Sequence, residues 1–177
     1  MGRVSQAQAK ENRKLVVETA ARLFRERGVA GVSVADVMAE AGLTHGGFYK
    51  QFASKEALVA EAVGQAFGEL AGRLGGTDRA SFVAGYLSPE HRDAPGAGCP
   101  AAGFGGDLAH ESRESTAVPA YAAGIEDYAR WLGTDGHEDY AAVATLVGAM
   151  VLARATAGTE TSDRLLEAAR EQLLGKA

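Results

Sequence analysis

Apolar residues along this chain recur at three- and four-residue intervals, the spacing of one face of an α-helix, and no stretch alternates as a half-buried strand does. The pattern predicts a first helix from about Gln8 to Arg27, with Val16, Ala20, Leu23 and Phe24 on one face and Gly28 closing it. Ser33 is placed to cap a short second helix whose Val34, Val37, Met38 and Ala41 fall at i, i+3, i+4 and i+7. Gly42 ends that helix, and only Leu43 separates it from Thr44, a capping residue for a third helix carrying Phe48 and Phe52. Ser54 caps a long fourth helix with Val59, Val63, Ala66, Phe67, Leu70 and Leu74 in one stripe, terminated by Gly75 and Gly76.

Beyond residue 76 the predicted elements are a short helix around Ala80 to Leu87, a loop from Ser88 to Gly98, and a helix from Pro100 to Glu111. A helix near Val118 to Leu132 follows, with Pro119 in its first turn, where the missing N–H does no harm. Two last helices, about Glu138 to Ala157 and Asp163 to Leu174, are separated by Gly158, with Ser162 capping the second. The prediction is an all-α protein: a three-helix N-terminal module, residues 1–55, joined by the long fourth helix to a second helical domain, residues 56–177.

Composition narrows the function classes. Hydrophobic residues make up 46% of the 177, enough for a real core. The polar start around Gln6, Gln8, Lys10 and Glu11 lacks the apolar stretch of a signal peptide. The longest uncharged apolar run ends at Arg154, short of the roughly 18 residues of a membrane span, so a cytoplasmic setting is expected. One cysteine, Cys99, cannot form an internal disulfide or a multi-thiolate metal site. Net charge is -5, yet residues 1–55 hold 9 Lys/Arg against 5 Asp/Glu while the remainder holds 9 against 18. A basic module attached to an acidic body points to a polyanion as partner of the first part alone.

Residues 33–58 carry the most chemistry. The tight Gly42-Leu43-Thr44 turn makes helices two and three cross steeply, as in a helix-turn-helix whose second helix enters the DNA major groove. Phe48 and Phe52, four apart, pin one face inward and leave Thr44, His45, Tyr49 and Lys50 on the other. A helix N-terminus offers amides to phosphate, hydroxyls and lysines position the backbone, and His45 and Lys50 can donate to guanine acceptors. Gly46 and Gly47 each cost about 1 kcal/mol relative to alanine in a helix, which implies close approach to something outside.

This stretch, SVADVMAEAGLTHGGFYKQFASKEAL, resembles the DNA-binding module of the tetracycline-repressor (TetR) family: a helix ending RERG, the GLT turn, FYKQF and then SKEAL, in order and spacing. The resemblance covers about the first third of the chain. It implies phosphate contacts from Ser33, Thr44, Tyr49 and Lys55, with His45, Gly46, Gly47 and Lys50 facing bases or the adjoining backbone. It also implies a ligand pocket in the C-terminal domain and a homodimer formed through the last two long helices. Candidate interface residues are Ala144, Gly148, Val151, Leu165, Ala169 and Leu173; candidate pocket residues are Tyr86, Cys99, Phe104, Tyr121, Tyr128 and Trp131.

The expected function is therefore a repressor released from a palindromic double-stranded DNA operator by a small-molecule effector, with the fourth helix as lever, and without cofactor, metal or membrane partner. An activator with the same parts is an alternative, as is a small enzyme using Cys99 or a histidine, though no nucleophile is visibly paired with a base. Cys99 before Pro100 sits near a predicted helix start, where a thiolate gains stability and permits redox sensing. The glycine-rich run from Gly96 to Gly106 lacks the spacing and preceding strand of a phosphate cradle. Asp107, His110 and Glu111 share a helix face without metal-ligand spacing that stands out from a solvated surface.

Overall fold

The computed structural model describes residues 6–112 and 114–175, and every regular element among them is helical. The N-terminal module comprises α1 (Gln6–Arg27), α2 (Val34–Glu40) and a 3₁₀ segment (His45–Lys50), followed by the first turns of α3 (Lys55–Leu74). The body contains α4 (Arg79–Tyr86), α5 (Pro89–Asp93), a 3₁₀ turn (Pro95–Ala97), α6 (Pro100–Leu108), α7 (Ala117–Leu132), α8 (Tyr140–Ala155) and α9 (Glu160–Leu174).

Local chemistry explains most boundaries. Gly28 and Gly42 close α1 and follow α2 at φ +75° and +69°, the left-handed region open to glycine without a Cβ penalty. Ser33 and Asp36 form a reciprocal capping box at α2, and the Ser54 hydroxyl accepts from Ala57 N at the start of α3. Three boundaries differ from expectation. The Ser88–Gly98 stretch is not a plain loop, because Ser88 caps α5, Pro89 occupies its first turn and Pro95 opens the 3₁₀ turn. Helix α9 begins after Thr159, so Ser162 is not its cap; it is fully buried, donates to Ala153 O at 2.7 Å and accepts from Arg92 Nη1 at 2.9 Å. The third helix is 3₁₀ rather than α, and its cap residue Thr44 makes no side-chain capping bond.

One continuous core runs through both parts. In the module, Val16, Leu23 and Phe24 meet Val37, Met38, Phe48 and Leu58; in the body, Phe67 and Leu70 meet Phe104, Tyr128, Leu132 and Leu146. Helix α3 packs on α1 at one end and on α7 along its body, while α8 packs on α9. The α3–α7 approach depends on Gly124, where an added Cβ would overlap the Phe67 ring. No helix among the described residues is long and apolar enough to cross a membrane.

Gly124→Ala is therefore expected to destabilise the protein by about 1–3 kcal/mol through overpacking, lowering the urea midpoint. Gly72→Ala, on α3 with nothing within 4 Å of the new carbon, should be neutral or stabilising by up to about 1 kcal/mol. Equal midpoints for the two variants would contradict this account of the α3–α7 contact.

Candidate functional site

The 3₁₀ segment is a short polar ledge on an aromatic footing. Phe48 and Phe52 are buried and stacked, ring centroids 5.3 Å apart, and the Arg13 guanidinium lies 4.4 Å above Phe52 while gripping both carboxylate oxygens of Glu61. This clamp joins α1, the ledge and α3. Above it, Thr44, His45, Gly46, Tyr49 and Lys50 are exposed and Gly47 is half-buried; Tyr49 is 66% accessible. Tyr49 is edge-on to both His45 and Phe48, which holds its phenol outward. The Gly46 position has open space around a built Cβ, so the chain's own packing does not require glycine there.

Two expected phosphate ligands are otherwise engaged. Ser33 is exposed, but its hydroxyl donates to Asp36 at 2.6 Å and accepts the Asp36 amide. The Lys55 ammonium turns inward, donating to Val29 O at 2.6 Å and lying 5.9 Å from the Phe24 ring centre. It therefore braces the α1–α2 loop rather than extending the ledge.

The pocket candidates divide between two cavities. One, of about 330 Å³, is lined by Tyr86 and Cys99 together with Arg73, Phe82 and His91. The other, about 550 Å³, lies between α3 and α7 and is lined by Tyr128 and Trp131 against small residues such as Gly64, Gly68 and Ala123. Phe104 is buried core, and the Tyr121 hydroxyl donates to Ala101 O at 2.7 Å; neither lines these cavities.

Cys99 does not have the environment of a stabilised thiolate. It precedes α6 as expected, but it is buried, and burial pushes its thiol up. His91 is adjacent yet cannot serve it as a base. Its Nδ1–H donates to Tyr86 O at 2.7 Å, and its Nε2 accepts from Cys99 N at 3.0 Å, an assignment that requires the neutral ring. Desolvation drives the His91 pKa down to about 4.

The glycine run from 96 to 106 packs against α1. A Cβ at Gly103 would lie 2.7 Å from Arg25 Cγ, and one at Gly96 would collide with Glu26. Asp107, rather than joining His110 and Glu111 in a shared polar face alone, accepts from Val29 N at 3.0 Å. Among the interface candidates, Ala144 and Val151 are exposed on α8, Gly148, Leu165 and Leu173 are half-buried, and Ala169 is buried in the protein's own core.

Comparison with known proteins places this arrangement. Residues 16–62 match the family described as bacterial regulatory proteins, tetR family. The N-terminal module is thus similar to that of TetR-family regulators. An uncharacterised HTH-type transcriptional regulator of Bacillus subtilis, YuxN, is 44% identical over 50 residues, a match covering 28% of this chain and only 17% of that relative. Likeness to solved structures spans the whole fold. The reduced form of NemR from E. coli superposes with a TM-score of 0.73 at 19% identity, over 93% of this chain and 95% of that one. A TetR-family regulator from Cytophaga hutchinsonii gives 0.70 at 20% identity, over 98% of both chains.

Sequence reasoning missed the contacts that tie the TetR-type module to the body, those of Arg25 with Gly98 and Glu69 and of Asp107 with Val29. The partners are distant in sequence, and only the glycines at 96 and 103 hinted that something packs closely there.

His91 gives a pH test. Its pKa is about 4 in the folded protein against 6.5 ordinarily, so on acidification the unfolded chain takes up this proton first and folding stability falls between about pH 6.5 and 4. Urea unfolding across that window should show a steeper acid loss in the parent than in His91→Gln; parallel profiles would refute the buried neutral imidazole.

Proposed function

We propose that the protein is a DNA-binding transcriptional repressor that acts as a homodimer and leaves a palindromic operator when a small molecule occupies its body. The observation carrying this reading is the ledge itself: Thr44, His45, Tyr49 and Lys50 exposed together over buried Phe48 and Phe52, on a segment with the TetR-family pattern. Hydroxyls and an ammonium on a short segment suit phosphate and base edges, whereas an enzyme would need an activated group there. Residues 1–55 serve as the reading head and residues 56–177 as the sensing and dimerising part.

Lys50, Tyr49, Thr44 and His45 are the principal DNA ligands, with Gly46 and Gly47 allowing the duplex close. Ser33 contributes through its exposed position at the start of α2, and Lys55 acts by bracing the loop at Val29. The dimer forms through α8 and α9. Tyr140, Ala144, Val151 and Leu152 are exposed along α8, with Tyr140, Val151 and Leu152 among the few large apolar side chains left in solvent. Two heads so joined must meet successive major grooves about 34 Å apart, and a ligand favouring another spacing releases them.

Selection from a random duplex pool, followed by titration at several salt concentrations, tests the head. Lys50→Ala should weaken binding and reduce the salt slope by about one. Gly46→Val should abolish selective binding with no loss of folding stability, while Lys55→Ala should lower stability with little change in slope. Failure of the parent protein to select any duplex removes this function.

The dimer is tested by sedimentation. Leu152→Glu should shift the protein toward monomer and weaken operator binding, because two carboxylates would be buried facing each other across the two-fold. An unchanged dimer would place the interface elsewhere.

A further inference from the structure

The smaller cavity has a chemical bias that the larger one lacks. Arg73 stands at its rim, donating from Nη1 to Ala97 O at 3.0 Å, and is the one formally charged residue among those lining the cavity. Within, the Tyr86 hydroxyl is buried beside the Cys99 thiol and has no oxygen or nitrogen partner. The nearby Cys99 thiol is held protonated by burial. Both nitrogens of His91 are already engaged with backbone groups, and Ser81 has given its proton to Asp78 at 2.6 Å. The cavity thus presents a guanidinium, a phenol and a thiol as donors, against only the neutral hydroxyl oxygens of Thr77 and Ser81 as acceptors. A buried donor lacking an acceptor is costly, and the molecule that removes the cost must supply oxygen lone pairs.

The remaining walls are apolar. Leu70 lies on one side and Phe82 on the other, and the Phe82 ring is edge-on to Trp131 at 5.1 Å and to Tyr128 at 5.8 Å. At about 330 Å³ the space is at the small end for organic ligands. We propose that this cavity is the effector site and takes a small organic acid, an aryl or alkyl carboxylate whose head is met by Arg73 and the Tyr86 hydroxyl and whose body lies on Leu70 and Phe82. This rests on the reading of the protein as a ligand-released regulator and names the chemistry of that ligand. The cavity wall also reaches the reading head, because the residue before Cys99, Gly98, accepts from Arg25 Nη1 of α1 at 3.1 Å.

The test uses the full chain and three matched probes: 3-phenylpropanoate, its neutral amide and 3-phenylpropylamine. The protein has one tryptophan, Trp131, in ring contact with Phe82, so its fluorescence reports occupancy, with calorimetry as the second measure. The carboxylate should bind about tenfold more tightly than the amide, and the amine more weakly still. Arg73→Gln, at an exposed position, should erase the preference for carboxylate over amide. Tyr86→Phe should weaken the carboxylate several-fold yet leave the Tm of the free protein equal or higher, since it deletes a buried hydroxyl without an oxygen or nitrogen partner. Equal affinity for all three probes, saturation by none, or an intact carboxylate preference in Arg73→Gln would overturn the proposal. Duplex selection by the same preparation separates the two readings. A protein that selects DNA and ignores the carboxylate overturns the acid site alone, whereas one that binds the carboxylate and selects no DNA supports the acid site and overturns the regulator.

Discussion

A guanidinium taken out of water must be surrounded by partners, and in this protein that requirement joins the two halves. The Arg25 side chain on α1 is 3% exposed; it donates to Ala21 O at 2.9 Å, to Gly98 O at 3.1 Å and to the Glu69 carboxylate on α3 at 3.0 Å. Its own helix, helix α3 and the segment leading into α6 therefore meet at one charge. Gly103 is small because the Arg25 stem lies against it, and Gly96 is small because Glu26 of the next position needs the space. Removing any one partner would leave a buried ion short of a bond, which costs far more than an exposed ion pair contributes.

The same accounting changes how the basic head is understood. Much of its positive charge is already paired inside the chain: Arg13 with Glu61, Arg22 with Glu26 and Glu40, Arg25 with Glu69, Lys14 with Glu18. Two of these acids, Glu61 and Glu69, belong to α3, so the acidic surplus of the body partly neutralises the head it supports. The pairs at the surface are weak and can exchange for phosphate, whereas Arg25 cannot. On the proposed reading, affinity for a polyanion would rest less on net charge than on where the ledge places Lys50, its hydroxyls and its amides.

The legible parts of the fold are those whose cause is local. A glycine at positive φ after α1 or α2, a serine capping α2 or α3, and the Phe48–Phe52 interval each act within a few residues, and each is where the pattern put it. The 3₁₀ form of residues 45–50 was hidden because two glycines weaken either helix type and tertiary packing of Phe48 decides between them. Ser162 has the composition of a cap, but a buried bond to Ala153 O, nine residues earlier, outcompetes that role. Lys55 matched a phosphate position by sequence and folds inward because the Val29 carbonyl, 26 residues away, lies within reach. Such long-range pairings leave no local periodicity, and the cavities they frame are equally silent.

Those hidden contacts also add a second connection to the one expected along α3. Helix α6 is tethered to α1 at both ends: just before Cys99, Gly98 O accepts from Arg25, and at the other end Asp107 accepts the Val29 amide in the turn after α1. The turn is further held by Lys55. A molecule that displaces the Cys99 wall must either stretch the Arg25 bond or carry α1 with it, and α1 is the helix that backs the ledge through Arg13 and Phe52. A buried charge-assisted bond resists stretching more than a helix resists a small rigid shift. Any coupling between the body and the ledge would therefore have α6 as well as α3 as a physical connection, its strength bounded by how differently a ligand binds two arrangements of that connection.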